Sequence, residues 1–216
     1  MTPKNFVSQL GALQFADAFN PYSDRCSVHD LADAPQQRAE LLTRMLESAT
    51  SAEVDAIWVG RDLGFRGGRR TGLALTDDVN FHSHLSRWGI SRSKPTVGHP
   101  VAERTATIVW EMLAHIPTPI FLWNVFPLHP HDPGDPFTNR AHNARERRAG
   151  TEILDALVRL LRPKRLIAVG NDADKVLLQI SGDTSVVKVR HPSYGGQAEF
   201  IRQISELYRI KQLTLL

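Results

Sequence analysis

Apolar side chains recur along the chain in two rhythms, one every three to four residues and one in short continuous runs. The first is the signature of a helix burying one face, the second of a strand buried on both faces. Residues 1–33 show neither, and only a turn at Asn20-Pro21-Tyr22 stands out. A helix is predicted from near Pro35, with Asp33 as its cap and Leu41, Leu42, Met45, Leu46 and Ala49 on its inner face. The run Val54 to Val59 predicts a first strand, ending at Gly60 and a loop that lasts to about Thr76. Helical spacing returns around 77–88 and at 101–116, where Ile108, Val109, Met112, Leu113 and Ile116 share a face.

Pro119 to Val125 predicts a second strand, followed by a loop rich in proline and histidine from Pro127 to about Asn143. A helix from Glu146 to Leu161 stops before Pro163, since proline cannot continue it. Strands three (Arg165 to Val169) and four (Val186 to Val189) alternate with helices carrying Val176, Leu177 and Ile180, and then Phe200, Ile201, Ile204 and Leu207. Strands separated by helices imply an α/β fold, a central four-stranded parallel sheet covered on both faces and joined by right-handed crossovers. The expected architecture is a three-layer α/β/α sandwich in one domain spanning 1–216, in which 1–33 is an N-terminal extension without a functional reading. Ligands bind beyond the carboxyl ends of such strands. The residues that follow Val59, Val125, Val169 and Val189 are therefore the ones that matter.

Composition narrows the class. With 42% hydrophobic and 23% charged residues among 216, the chain is not wholesale disordered. Its longest apolar run, Ile120 to Leu128, contains Asn124 and Pro127 and falls short of the roughly 20 residues that span a bilayer. No secretory leader pattern opens it, so a soluble protein of the cytoplasm is expected, without a membrane partner. A single cysteine, Cys26, excludes a disulfide framework and a cysteine-held iron–sulfur cluster. The histidine pairs His82/His84 and His129/His131 lie two apart, with no carboxylate or cysteine at ligand spacing, and no metal or other cofactor is expected. The net charge is +3. Arg61, Arg66, Arg69 and Arg70 crowd one stretch, and Arg140, Arg145, Arg147 and Arg148 another. Guanidinium clusters suit phosphate, but a merely solvated basic surface would read the same way.

Three strand ends carry chemistry. After strand one, Asp62 is an acid inside an otherwise cationic, glycine-rich loop, fit either to cap a turn or to act on a ligand. The loop has neither the Lys-Ser/Thr of a P-loop nor a G-x-G-x-x-G opening a helix. Strand two ends near Asn124, whose amide presents a donor and an acceptor side by side, for a neighbouring loop or for the edge of a base. Strand four ends at His191-Pro192-Ser193, just before a helix whose positive end favours the neutral imidazole.

Together these segments resemble the uracil-DNA glycosylase superfamily over about residues 54 to 210. Gly60-Arg61-Asp62-Leu63-Gly64, running on to Gly72-Leu73-Ala74-Leu75-Thr76, is similar to the family's first motif. Phe121-Leu122-Trp123-Asn124 matches its asparagine-ended strand, and His191-Pro192-Ser193-Tyr194-Gly195-Gly196 its last motif. The resemblance implies that Asp62 activates water, that Asn124 reads the uracil edge, and that neutral His191 stabilises charge on the departing base. It also implies substrate contacts from Arg61, Gly64, Phe65 and Leu75, and DNA contacts from Gly72, Ser193, Tyr194 and Gly195. The partner it implies is uracil-containing DNA, single- or double-stranded, met by a monomer on the nucleoid. No lysine stands at the motif positions, so hydrolysis to an abasic site without a lyase step is expected.

Departures from the pattern shape the remaining expectations. The family's tyrosine that excludes thymine is here Gly64, so Phe65 or the 127–137 loop is expected to exclude the methyl. Its stacking phenylalanine is Leu75, which leaves stacking weaker or assigns it to Phe65, Phe126 or Trp123. Its duplex-entering leucine falls on Gly195, with Tyr194 beside it as a wedge. Rival readings are a same-fold glycosylase for mismatched thymine or a deaminated purine, and a damaged-DNA binder without turnover.

Overall fold

The computed structural model describes residues 1–210, so the expected domain of 1–216 ends six residues beyond them. Helix α1 (Pro3–Gly11) opens the chain, capped by the Thr2 side chain on the Asn5 amide at 3.2 Å. Phe6, Val7 and Leu10 bury its inner face. Sequence periodicity predicted no element here, because two turns offer too few apolar repeats to be read. A two-residue strand β1 (Ala18–Phe19) follows. Helix α2 (Ala34–Thr50) then packs the expected face inward, but Asp33 does not cap it. The Asp33 carboxylate instead accepts from Gln37 Nε2 at 2.8 Å.

Strand β2 runs from Ala56 to Asp62 and therefore extends two positions past Gly60, where a loop was expected. Helices α3 (Gly68–Thr71), α4 (Phe81–Ser86) and α5 (Arg104–Leu113) come next, the last two shorter than their periodicity suggested. Asp77 accepts from the backbone N–H groups of Asn80 and Glu103, which starts both helices later. Strand β3 (Ile120–Phe126) is followed by the two-residue strand β4 (His129–Pro130), which pairs antiparallel with β1. Helix α6 (Ala144–Leu161), β5 (Arg165–Val169), α7 (Asn171–Ile180), β6 (Ser185–Val189) and α8 (Gln197–Tyr208) complete the order.

The central sheet has four parallel strands in the order β3-β2-β5-β6, as the alternation of strands and helices predicted. Side chains alternate between its two faces. Ile57, Val59, Phe121, Trp123, Leu166 and Ala168 join the core under α1, α2 and α6. Trp58, Ile120, Leu122, Ile167 and Val169 join the core under α5 and α8. Burial on both faces is why β2, β3 and β5 read as continuous apolar runs rather than alternating ones, whereas the edge strand β6 is only partly covered.

Two details position the functional end. Gly150 lets α6 lie against the end of β3, since a Cβ there would stand 2.1 Å from the Val125 carbonyl oxygen. Asn143 and Glu146 form a reciprocal capping box that fixes where α6 begins. The segment just before it, with His142, is thereby held over the carboxyl end of β2.

Candidate active site

A cleft of about 440 Å³ opens beyond the carboxyl ends of β2, β5 and β6. Asp62, Gly64, Leu75 and Glu103 line one side, Gly170 and Asp172 the middle, and Arg190, His191, Ser193 and Tyr194 the other. It lies at the strand ends, where the order of the elements places a ligand.

Asp62 closes β2, and its carboxylate is shielded from solvent and held at both oxygens. Arg61 Nε donates to Oδ2 at 2.7 Å, and His142 Nδ1 bonds Oδ1. Both Asp62 and His142 side chains are only 6% exposed. A carboxylate held at both oxygens cannot rotate freely, so its charge and its remaining lone pairs keep a fixed direction. His142 was not among the sequence candidates. It stands 80 residues from Asp62, and its only local sign is the helix start at Asn143 that immediately follows.

Asn124 sits on β3 opposite Gly60. It is 1% exposed, and neither its amide nitrogen nor its amide oxygen has a hydrogen-bond partner among the described residues. Leaving such a group unpaired costs about 1–3 kcal/mol, so an unpaired buried amide invites a ligand. Its oxygen and Leu75 Cδ2 converge over Gly60, lying 2.5 and 3.1 Å from where a Cβ at that position would stand. Only glycine fits there. Leu75 holds φ +52°, a left-handed conformation that is costly for a bulky side chain and tends to persist at functional sites.

His191 lies between Gly170, the N-cap of α7, and Ser193. A Cβ on Gly170 would be 3.3 Å from His191 Cβ. The Ser193 backbone N–H donates to His191 Nδ1 at 3.2 Å, and Ser193 Oγ lies 2.7 Å from the same nitrogen. Nδ1 is therefore an acceptor, and the ring proton of the neutral imidazole resides on Nε2. Burial first, then Arg61 and Arg190, lower the pKa to about 4 against the opposing Asp172. The expected neutral state is present, with burial as its largest cause. The N-caps of α7 and α8, Gly170 and Gly196, both pack against His191, and a Cβ on Gly196 would stand 2.1 Å from its carbonyl oxygen.

Other sequence candidates separate into groups. Tyr194 projects beside the cleft, 95% exposed, and both it and Gly195 adopt left-handed backbone (φ +51° and +75°). Phe65 is placed near the site by its backbone, which donates to Asn139 Oδ1 at 3.0 Å, yet its ring does not line the cleft. Trp123 and Phe126 are core side chains, packed on Phe6 and Phe15 at ring distances of 5.6 and 5.5 Å. None of the three rings proposed for stacking faces the cleft. Leu75 does, and the aromatic ring in the lining is that of Tyr194. Gly72, expected to touch DNA, is buried instead. It ends α3 with φ +72°, and its carbonyl accepts from Tyr22 Oη at 2.5 Å.

The arginine clusters divide in the same way. Arg70 is buried against Asp78 at 2.6 Å. Arg69 is buried with its guanidinium 4.2 and 4.9 Å from the ring centres of Phe19 and Phe137. Arg140 is held by both oxygens of Glu146, at 2.7 and 2.6 Å, and by the carbonyls of His131 and Asp17. These three arginines tie the loops together, whereas Arg61, Arg66, Arg145, Arg147 and Arg148 remain exposed.

No group of three or more His, Cys, Asp or Glu side chains among the described residues is arranged to hold a metal ion. None of the described helices is long and apolar enough to cross a membrane.

Comparison with known proteins accords with this arrangement. A family model described as the uracil DNA glycosylase superfamily matches residues 48–203. Among solved structures, the crystal structure of wild-type Pedobacter heparinus SMUG2 aligns with a TM-score of 0.60 at 14% identity, covering 97% of this chain and 98% of that one. That likeness is one of fold. No curated protein sequence matches the chain.

Proposed function

The chain belongs to the uracil-DNA glycosylase superfamily and is a DNA glycosylase, a hydrolase of DNA repair, and on that premise we propose that the base it removes is uracil. The observation that carries the reading is the grouping of three side chains at the carboxyl ends of the sheet. Asp62, Asn124 and His191 stand on β2, on β3 and just beyond β6, around or immediately beneath one cleft.

Hydrolysis of an N-glycosidic bond passes through an oxocarbenium-like sugar and a base that departs with the bonding electron pair. The site offers a separate partner for each charge. In this reading the fixed Asp62 carboxylate orients a water toward C1′, takes the proton that water loses and stabilises the cationic sugar. The Nε2–H of His191 donates to the oxygen on which the departing uracil gathers negative charge. Uracil presents an N–H and a C=O side by side, which suit the carbonyl and NH₂ of the unpaired Asn124 amide. The products are free uracil and an abasic site. His142 acts through Asp62, by orienting the carboxylate.

A base can reach Asn124 only after leaving the stack. Exposed Arg61 and Arg66, with the half-buried Ser193, suit the phosphates that flank the extruded nucleotide, and Tyr194 suits the gap it leaves. The same reading takes 1–216 as one domain that works as a monomer on the nucleoid. The test is alkali-induced cleavage of oligonucleotides, single-stranded and duplex, carrying one uracil, with thymine and hypoxanthine controls. Cleavage at uracil alone supports the proposal. Cleavage at hypoxanthine or thymine alone keeps the glycosylase and replaces its base, while binding without cleavage favours a damage binder.

A further inference from the structure

Glu103 is the N-cap of α5, yet its side chain does not cap the helix. A side-chain acceptor at this position ordinarily takes a backbone N–H of the first turn. Here the Glu103 backbone N–H donates to Asp77 Oδ2 at 2.7 Å, and the carboxyl crosses to the glycine-rich loop after β2. A Cβ on Gly64 would stand 2.9 Å from Oε1, and one on Gly67 only 2.0 Å from Oε2. Two glycines therefore make room for this one acid.

The carboxyl lines the same cleft as Asp62, Leu75 and His191, and it takes part in no hydrogen bond among the described residues. Burial, reinforced by the Asp77 carboxylate and opposed by the Arg66 guanidinium, pushes its pKa up to about 7. Near neutral pH such a group can donate a hydrogen bond as well as accept one. A half-buried acid without a partner is unfavourable by itself, and it becomes favourable when a ligand supplies the missing half. The stem of a methionine or leucine would fill the space over Gly64 and Gly67 without that cost.

We propose that Glu103 is the specificity-determining residue of the cleft: its carboxyl forms the wall against the edge of the extruded base, hydrogen-bonds the polar group on that edge and leaves no room for a methyl beside it. The proposal rests on the uracil reading above. It moves the exclusion of thymine from Phe65 and the 127–137 loop to an acid 39 positions further along the chain than Gly64. A carbonyl such as uracil O4 meets the protonated acid as an acceptor, whereas the 5-methyl of thymine would have to displace the carboxyl from its seat on Gly64.

The experiment compares wild type with Glu103→Ala, Glu103→Gln and Gly64→Ala, reading single-turnover release of uracil and of thymine from duplexes with guanine opposite. Glu103→Ala is expected to raise the thymine-to-uracil rate ratio about tenfold or more, and Gly64→Ala, by pushing the carboxyl aside, to move the ratio in the same direction. Glu103→Gln, which keeps the shape and a donor, is expected to hold the ratio within about threefold. A ratio unchanged in both alanine variants overturns the proposal. So does loss of all excision from Glu103→Ala and Glu103→Gln with the fold intact, since that would make Glu103 part of turnover. Binding to duplexes carrying non-cleavable 2′-fluoro uridine or thymidine analogues reads the same preference without chemistry. If wild type releases no uracil, the uracil reading fails, while the uracil-to-thymine binding ratio still decides for or against Glu103.

Discussion

The side of the cleft that carries Asp62 and the side that carries His191 are held in different ways. The first is built from the loop between residues 60 and 78 and is tied into the protein at many points. Arg70 pairs with Asp78 beneath it, Arg38 donates to the Arg70 carbonyl at 2.9 Å, Tyr22 reaches the Gly72 carbonyl, and Thr71 Oγ1 donates to the Thr76 carbonyl at 3.1 Å. The second, residues 190–196, is held by its own turn. Ser193 bonds His191, the Gly196 N–H donates to the Ser193 carbonyl at 3.1 Å, and Arg190 N–H reaches Gln203 Oε1 at 2.6 Å. Beyond these contacts Tyr194 and Gly195 stand in solvent.

The contrast separates two demands. Stabilising charge in a transition state requires groups already in place, because reorganising them during the reaction would cost the advantage. Prying a base from a duplex requires a projecting element that adapts to the DNA it meets. The anchored side meets the first demand and the exposed turn the second, with His191 at the junction and fixed by Ser193.

Predictions that break or sharpen this comparison run from large to small. Asp62→Asn keeps the shape and removes the charge, so single-turnover excision should fall by about 10²–10⁴ while DNA binding, read by gel shift, stays within about threefold. Asn124→Leu should lower excision by about 10² and raise stability by about 1 kcal/mol in urea unfolding, because it removes a buried amide with no partner. A loss of stability would mean the amide is paired after all. His142→Asn should reduce kcat about tenfold with KM unchanged, and the Asp62→Asn/His142→Asn double variant should be no slower than Asp62→Asn alone, as expected of residues that act as a unit. Tyr194→Ala should slow excision from duplex several-fold and leave single-stranded substrate within about twofold.

A separate prediction concerns pH and stability rather than turnover. His84 and His129, both packed behind the anchored side, have pKa values lowered by burial to about 3 and about 4. The unfolded chain, with histidines near 6.5, then binds protons that the folded chain refuses. Their contribution is complete above about pH 6.5 and is lost as pH falls toward about 3, so the urea midpoint should decline across that window. His84→Gln should flatten the decline.

Much of this arrangement is legible in the sequence, for local reasons. Strands β2, β3 and β5 are continuous apolar runs because both faces are buried, and α6 announces itself through Asn143, Glu146 and a regular apolar face. The three strand-end side chains are legible because they stand in short motifs of fixed order. What was missed depends on distant partners. His142 meets Asp62 across 80 residues, and Glu103 reaches Gly64 across the fold. Nothing near Arg70 or Arg140 in the chain distinguishes an arginine that will be buried on Asp78 or Glu146 from one free to meet phosphate. Helix α1 went unread because Phe6, Val7 and Leu10 complete only two turns.

The most direct test of the division between the two sides is one matched measurement. Single-turnover excision of uracil by wild type, Asp62→Asn and Tyr194→Ala would be followed on single-stranded and duplex oligonucleotides of the same sequence. The account predicts that Asp62→Asn slows both substrates by the same large factor, and that Tyr194→Ala slows only the duplex. Equal slowing of both substrates by Tyr194→Ala, or duplex-selective slowing by Asp62→Asn, would contradict it.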